Sequence, residues 1–409
     1  MGEMLSRRVA WSVVALAMLT MTVSFVDRQT LAVIAPAVTE ALHLTETQYG
    51  WLASAFSIAY LVATPLAGWW MDRAGARRGL VRSVLVWSVI AALHALVPNF
   101  AVLFALRIGL GLAEGPGFPG AAQTVQRVLP PESRSRGFGL LFTGSSLGAM
   151  IVPPIAARLA AAYGWRYAFL GTAFVAVLWV PAWIVMTNRR DVRERLDLVP
   201  LPSHRARPNV FDLFRERTIL RGLIGVLAAA PVSGFGMLWA SKYLVRAFTV
   251  DQKHVGDYLW LPPLFLDAGA ILFGDLASRF RHRRGSSSLL HAAAMLLAAS
   301  LALLPYATTP WQGVIVIGVA NLGGGALYTL VTSNMMSGIA PENVAFSSGV
   351  LVCAQSLALI ISSPLIGRAV DQFQGYGVVA ITLGIWVIPG SLIWIAWRPR
   401  PSEQFGHQV

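Results

Sequence analysis

The stretch GWWMDRAGARR, residues 68–78, closes a long apolar run and turns abruptly basic, and GDLASRFRHRR at residues 274–284 repeats it 206 positions later. The two stretches share their first glycine (Gly68, Gly274) and three arginines, Arg73 with Arg279, Arg77 with Arg283 and Arg78 with Arg284. A second block recurs at an offset of 210: Pro131 and Glu132 against Pro341 and Glu342, Pro154 against Pro364, and Arg158 against Arg368. Two blocks in register mark an internal repeat, so the chain reads as two copies of one topological unit.

The unit is built for lipid. The chain is 56% hydrophobic and 12% charged, whereas a soluble domain carries about 25% charged residues, and its mean hydropathy is +0.62. Apolar segments of spanning length, about 20 residues each, lie at 10–39, 48–70, 79–97, 100–128, 136–162, 166–187, 218–245, 252–278, 288–306, 311–338, 344–370 and 377–397. This pattern predicts an all-α membrane protein of twelve transmembrane helices in two pseudo-symmetric six-helix bundles, 1–187 and 218–400. Residues 188–217, rich in charge and proline, read as a cytoplasmic linker with room for a short surface helix, and 401–409 as a cytoplasmic tail. The first apolar run is too long for a cleavable signal and has no small-residue cleavage site, so it is expected to stay as helix 1.

A net charge of +13 raises the question of nucleic acid, and the placement of the charges answers it. Arg7, Arg8, Arg73, Arg77, Arg78, Arg82, Arg127, Arg134 and Arg136 fall on one side of the alternating spans. Arg189, Arg190, Arg193, Arg195, Arg205, Arg207, Arg215, Arg217, Arg221, Arg279, Arg281, Arg283, Arg284, Arg398 and Arg400 follow on the same side. The opposite side has Arg166, Arg246 and Lys253. Positive-inside bias then puts both termini in the cytoplasm, and no nucleic-acid partner is expected. The lone Cys353 excludes an intrachain disulfide, no phosphate-binding loop or nucleophile motif is present, and the histidines lack metal-ligand spacing. The absence of any Asn-X-Ser/Thr acceptor and the use of 30 arginines against 2 lysines point to the inner (plasma) membrane of a bacterium.

Within the apolar spans four charges stand out: Asp27 and Arg28 in helix 1, Arg107 and Glu114 in helix 4. A charge at the bilayer centre costs about 2.5–3.5 kcal/mol on insertion scales. Arg107 and Glu114 are seven residues apart, which at about 100° per residue places them on one face, about 10.5 Å apart along the axis. The four charges sum to zero. A substrate carboxylate makes the sum minus one, and a proton on Asp27 or Glu114 restores neutrality, so the site can couple one anion to one proton. Arg28 is the candidate carboxylate partner, because guanidinium binds carboxylate bidentately and keeps its proton. Arg107 is the candidate for controlling the protonation of Glu114 and Asp27. The alternative is a set of structural ion pairs joining helices 1 and 4.

The loop at 68–78 resembles the signature loop of the major facilitator superfamily, matching it at Gly68, Asp72, Arg73, Gly75, Arg77 and Arg78. FVDRQTLAVIAP (25–36), YGWLASAFSIAY (49–60), LRIGLGLAEGPGFPGAA (106–122), GSSLGAMIVPP (144–154) and AAYGWRYAFL (161–170) resemble the anion:cation symporters, and within them the hexuronate and aldonate transporters. KYL (242–244) and WLPPLFLDAG (260–269) carry the likeness in the second half. The resemblance implies proton-coupled symport of a sugar acid by alternating access, with Asp27 and Glu114 as protonation sites and Arg28 at the substrate. It implies no cofactor beyond the proton gradient, and the partners expected are a small organic anion, protons and the bilayer, with a monomeric carrier. Tyr60 matches the family's substrate-facing tyrosine. Ser145 and Ser146 stand where relatives often offer an amide, and Ser145, Ser333, Asn334 and Gln355 are candidates for hydroxyl recognition. By family analogy Asp72 lies near the start of helix 11. There it can pair with Arg127 and, with Arg73 and Arg77, latch the cytoplasmic side. Asp267 is a further intramembrane carboxylate without an assigned role. Another small carboxylate as substrate, drug:proton antiport, and a non-transporting sensor on the same fold are the alternatives.

Overall fold

In hydrocarbon an apolar segment must satisfy its own backbone, and a helix does so within the segment. The computed structural model describes residues 5–197, 216–280, 283, 285–337 and 344–397, without the side chains of Pro65, Trp69, Asp72 and residues 344–348. Twelve long helices are labelled here in chain order. They are α1 (Arg7–Val33), α2 (Glu46–Ala74), α3 (Ala76–Leu93), α4 (Phe100–Glu114, resuming as Gly117–Val128), α5 (Pro131–Tyr163) and α6 (Trp165–Thr187). The second half has α7 (Arg217–Leu238), α8 (Leu261–Arg279), α9 (Ser286–Ala299), α10 (Pro310–Ser337), α11 (Val344–Phe373) and α12 (Gly377–Ala396). Among the described residues, 11 helices have both the length and the hydropathy to cross a membrane. The remaining long helix, α2, has no charged residue from Thr47 to Met71. The expected linker 188–217 is described only in part, as a short helix Arg190–Leu196; its remainder to 215 and the tail 401–409 lie outside the described residues.

Local signals set the helix ends. Thr45 and Gln48 form a reciprocal capping box at the start of α2, and the Asn99 side chain accepts from the Val102 amide at 3.1 Å to begin α4, each satisfying amides with no partner inside the helix. Gly75, at φ +72°, joins α2 to α3, and Gly164, at φ +94°, joins α5 to α6. A side chain at either position would force a strained backbone, so these one-residue turns require glycine.

The described residues fall into two compact units: Met1–Ser203 with Met237–Pro263 and Ile360–Gly375, and His204–Gly236 with Leu264–Leu359 and Tyr376–Val409. In lipid, helices associate through close backbone approach, not through the hydrophobic effect, and small residues permit that approach. In the first unit a Cβ on Gly111 would stand 2.5 Å from the Phe56 carbonyl oxygen and one on Gly115 2.7 Å from Ala63 Cβ, which locks α4 against α2. Gly144 and Gly148 of α5 likewise abut the Met18 and Thr22 carbonyls of α1, and Thr22 Oγ1 donates to the Gly144 carbonyl at 2.9 Å. Large apolar side chains such as Leu66, Leu178 and Val185 are exposed on the helix surfaces, where a bilayer would cover them.

In the second unit Arg221 lies in the first turns of α7 and is buried. Its Nε donates to the Trp394 carbonyl at 2.8 Å, its Nη1 donates to Asn334 Oδ1 at 2.7 Å, and its guanidinium carbon sits 3.7 Å from the Trp394 ring centroid. The Trp394 indole also stacks on buried His291 at 4.0 Å. An arginine so enclosed has its charge spread over hydrogen bonds and a π face, which lowers the cost of burying it.

Candidate functional site

The four charges chosen from the sequence come together in the first unit. Glu114 is the final residue of the first segment of α4, at the break before Gly115 and Pro116, and only 1% of it is exposed. Its Oε2 accepts from Arg28 Nε at 2.7 Å and from Ser24 Oγ at 2.7 Å, while Oε1 has no hydrogen-bond partner. Arg28, expected to wait for a substrate, is thus the ion-pair partner of Glu114. Arg107, the candidate for controlling the protonation of Glu114, places its guanidinium carbon 5.0 Å from the Phe56 ring centroid and acts on Glu114 through its charge. The reason is geometric: Ser24 and Arg28 are one turn apart on the α1 face that meets Glu114, whereas Arg107 is two turns back along α4.

Aromatic rings enclose the Arg28 guanidinium. Its carbon lies 4.3 Å from the Tyr60 ring centroid, 4.7 Å from Phe56 and 5.0 Å from Phe25, and Phe56 and Tyr60 stack 5.7 Å apart on one face of α2. Tyr60 therefore stands beside Arg28. Phe56 contacts both guanidiniums and separates two like charges with a polarisable face. Phe25, Phe56 and Ser24 were not singled out from sequence. The i to i+4 spacings of Ser24 with Arg28 and of Phe56 with Tyr60 were the signal available.

Two charged groups remain unsatisfied. Asp27 is 3% exposed and neither of its carboxyl oxygens has a hydrogen-bond partner. Arg107 is 4% exposed, with Nε and Nη1 unpartnered. Buried polar groups are rarely left so, and such exceptions inside a membrane mark ion and substrate pathways. Ser145 is half-buried beside Gly144 on α5, and Ser146 is turned back to its own helix, donating to the Phe142 carbonyl at 3.5 Å. Asn334 and Gln355 lie in the second unit, both half-buried, and the Asn334 amide oxygen is held by Arg221. Among the described residues no group of three or more His, Cys, Asp or Glu is placed to hold a metal ion.

The signature loop meets the linker. Arg77 forms a bidentate pair with Asp197, Nε to Oδ1 at 3.0 Å and Nη2 to Oδ2 at 2.8 Å, and donates to Asn188 Oδ1 at 3.1 Å. These bonds hold the Asp197 carboxyl below the usual carboxylate range. Arg127 donates to the Leu196 carbonyl, and Val192 and Leu196 are buried in the same core as Met71 and Leu80. The helix Arg190–Leu196 is therefore clamped to the first bundle by two of the expected gating arginines. The Asp72 side chain lies outside the description, and Arg73 is exposed.

A second polar cluster gathers at the opposite end of α2. Asp371 of α11 accepts from the Glu46 amide at 3.0 Å, the Thr47 amide at 2.9 Å and the Thr47 hydroxyl at 2.6 Å, capping α2 from another helix. Buried Lys242, of the KYL stretch, reaches Glu46 Oε2 at 3.1 Å and Thr39 Oγ1 at 2.8 Å. Arg246 approaches Glu46 Oε1 at 3.6 Å.

Twelve long helices in an all-α chain, with acid and guanidinium groups paired inside the spans, define a polytopic membrane transporter. The chain belongs to the major facilitator superfamily, whose profile matches residues 17–363. It is similar to the hexuronate transporter of Escherichia coli (strain K12), 24% identical over 98% of this chain and 96% of the relative. It is also similar to the probable L-galactonate transporter of the same organism, 27% identical over 97% and 90%. Its fold matches the crystal structure of a bacterial homolog of the human lysosomal transporter Spinster, with TM-score 0.76 at 17% identity over 97% of this chain and 100% of that one.

Proposed function

We propose that the protein carries a sugar-acid anion, of the hexuronate or aldonate class, together with protons into a bacterial cell across the inner membrane. Both termini are cytoplasmic on this reading, and the halves 1–187 and 218–400 are the moving bodies of a monomeric carrier. The observation that carries the reading is the contact of Arg28 Nε with Glu114 Oε2 at 2.7 Å. The glutamate occupies the guanidinium that a substrate carboxylate needs, so the two acids compete for one partner. Protonation of Glu114 removes its charge and frees Arg28, and an arriving carboxylate then takes its place with the site's total charge unchanged. Proton and anion each lower the cost of burying the other, which is the free-energy coupling that symport requires.

Asp27 is the second protonatable group of the site, and Arg107, with its two unpartnered nitrogens, is a second positive group for the anion. Tyr60, beside Arg28, and Ser145 supply hydroxyls suited to a polyhydroxylated substrate. Gln355 and Asn334 are the candidates from the other half. The sugar-acid substrates of the relatives support the substrate class. The test is uptake of radiolabelled galacturonate and L-galactonate into proteoliposomes with an inward proton gradient. Accumulation above the external concentration that collapses with a protonophore is expected. Equal uptake with and without the gradient would remove proton coupling, and no uptake of either acid would remove the substrate class.

A further inference from the structure

Four buried residues of α1 carry a hydroxyl: Thr20, Thr22, Ser24 and Thr30. Three donate to the carbonyl four residues back on their own helix, Thr20 to Leu16 at 3.3 Å, Thr22 to Met18 at 3.5 Å and Thr30 to Val26 at 2.7 Å. That is the ordinary fate of a hydroxyl inside a helix, and Thr22 also reaches the Gly144 carbonyl of α5 at 2.9 Å. Ser24 alone among them donates to a side chain, crossing to α4 to reach Glu114 Oε2 at 2.7 Å, within the range of a charge-assisted bond from a hydroxyl to a carboxylate. Arg28 Nε reaches the same oxygen at 2.7 Å. Both donors converge on Oε2, and Oε1 is left buried with no partner.

We propose that Ser24 is a positioning residue for proton coupling: with Arg28 it saturates Glu114 Oε2, directs proton exchange to Oε1, and sets the pH at which Glu114 releases Arg28. The inference rests on Glu114 being a proton carrier. Ser24 holds a donor against the carboxylate that stays in place when Arg28 turns to substrate, so the glutamate keeps one fixed hydrogen bond through the cycle. The charged groups facing Glu114 are Arg28 and Asp27 from α1 and Arg107 from α4, with Tyr60 of α2 beside Arg28. None of them is altered by substitution of Ser24.

The test is an infrared pH titration of the purified protein in lipid nanodiscs, reading the carboxylic C=O band that Glu114→Gln abolishes. A hydrogen bond to a charged group is lost in Ser24→Ala, so Glu114 is expected to keep its proton to a pH about one unit higher or more, a shift of at least about tenfold in proton affinity. Ser24→Thr, which retains the hydroxyl, is expected to titrate as the parent does, and Ser24→Cys, nearly isosteric with a weak donor, to fall between. An Ala variant that titrates at the parent pH overturns the proposal. So does a Thr variant shifted as far as Ala, since the effect would then be packing. If no band depends on Glu114 across the accessible pH range, the proton-carrier reading itself fails. If the band is present and unmoved by Ser24→Ala, only the role of Ser24 fails.

Discussion

Glu114→Gln tests the competition for Arg28 most directly. Glutamine keeps the size of the side chain and an oxygen in the place of Oε2, but it removes the charge that now holds Arg28 Nε at 2.7 Å. Hydrogen bonds to charged groups contribute about 1.5–3 kcal/mol, and because Arg28 stays charged its bond to glutamine falls at the low end of that range, with the ion pair toward the high end. Releasing Arg28 therefore becomes easier by up to about 1.5 kcal/mol, and substrate should bind up to about tenfold more tightly at a pH where the parent Glu114 is ionised. At low pH, where the parent is already protonated, the two proteins should bind alike, so the variant flattens the pH dependence of affinity. Transport should divide in a second way. Proton-driven accumulation fails, because the empty carrier cannot return its proton, whereas exchange of internal for external substrate continues. The assays are equilibrium binding of radiolabelled galacturonate across pH, then proteoliposomes with the pH gradient and the internal substrate varied separately. Normal accumulation by Glu114→Gln, or binding with the parent's pH dependence, would refute the reasoning.

Three further expectations concern the anion site and the two ends of α2. Arg28→Ala should abolish measurable substrate binding while the protein stays folded, and Arg28→Lys should restore it only weakly, because an ammonium lacks the planar fork; parent-like binding by Arg28→Ala, followed by isothermal titration, would vacate the anion site. Asp371→Asn should weaken the cap on α2 by about 1–2 kcal/mol, raising labelling of a cysteine placed at buried Ser54 about 5–30-fold in a Cys353→Ser background; unchanged labelling would mean that Asp371 holds nothing shut. Asp197→Asn should release the helix Arg190–Leu196 at a cost of about 0.5–1 kcal/mol after solvent screening, seen as faster trypsin cleavage at Arg189–Arg195. Because Arg77 holds the Asp197 carboxyl below its ordinary range, that clamp is fully present at neutral pH and is lost as pH falls through the lowered value, so acid should speed cleavage of the parent and leave the variant unchanged.

Hydropathy and charge are local properties of a chain, and they settled much here without any structure. Spans of about 20 apolar residues have few alternatives to a helix in lipid, so α1 through α12 were legible from composition, and the recurrence of the 68–78 block near 274–284 revealed two halves. The cost of burying charge singled out Asp27, Arg28, Arg107 and Glu114 before any partner was known. Spacing within α4 also put Arg107 and Glu114 on one face, about 10.5 Å apart along the axis, and left open which group holds that acid. Choosing between two guanidiniums depends on how α1 is rotated and how deeply it sits against α4, and that is set by Gly111 and Gly115 drawing α4 onto α2, and Gly144 and Gly148 drawing α5 onto α1. Only tertiary packing therefore decided that Arg28 holds Glu114. It also aimed Ser24 at an oxygen 90 residues away and let Asp371 cap a helix 325 residues earlier in the chain. It buried Arg221 near the start of α7, where the Trp394 ring and carbonyl and the Asn334 oxygen lie within reach. A side chain's partner is fixed by the angle and depth at which two helices meet, and no periodicity within one helix encodes either.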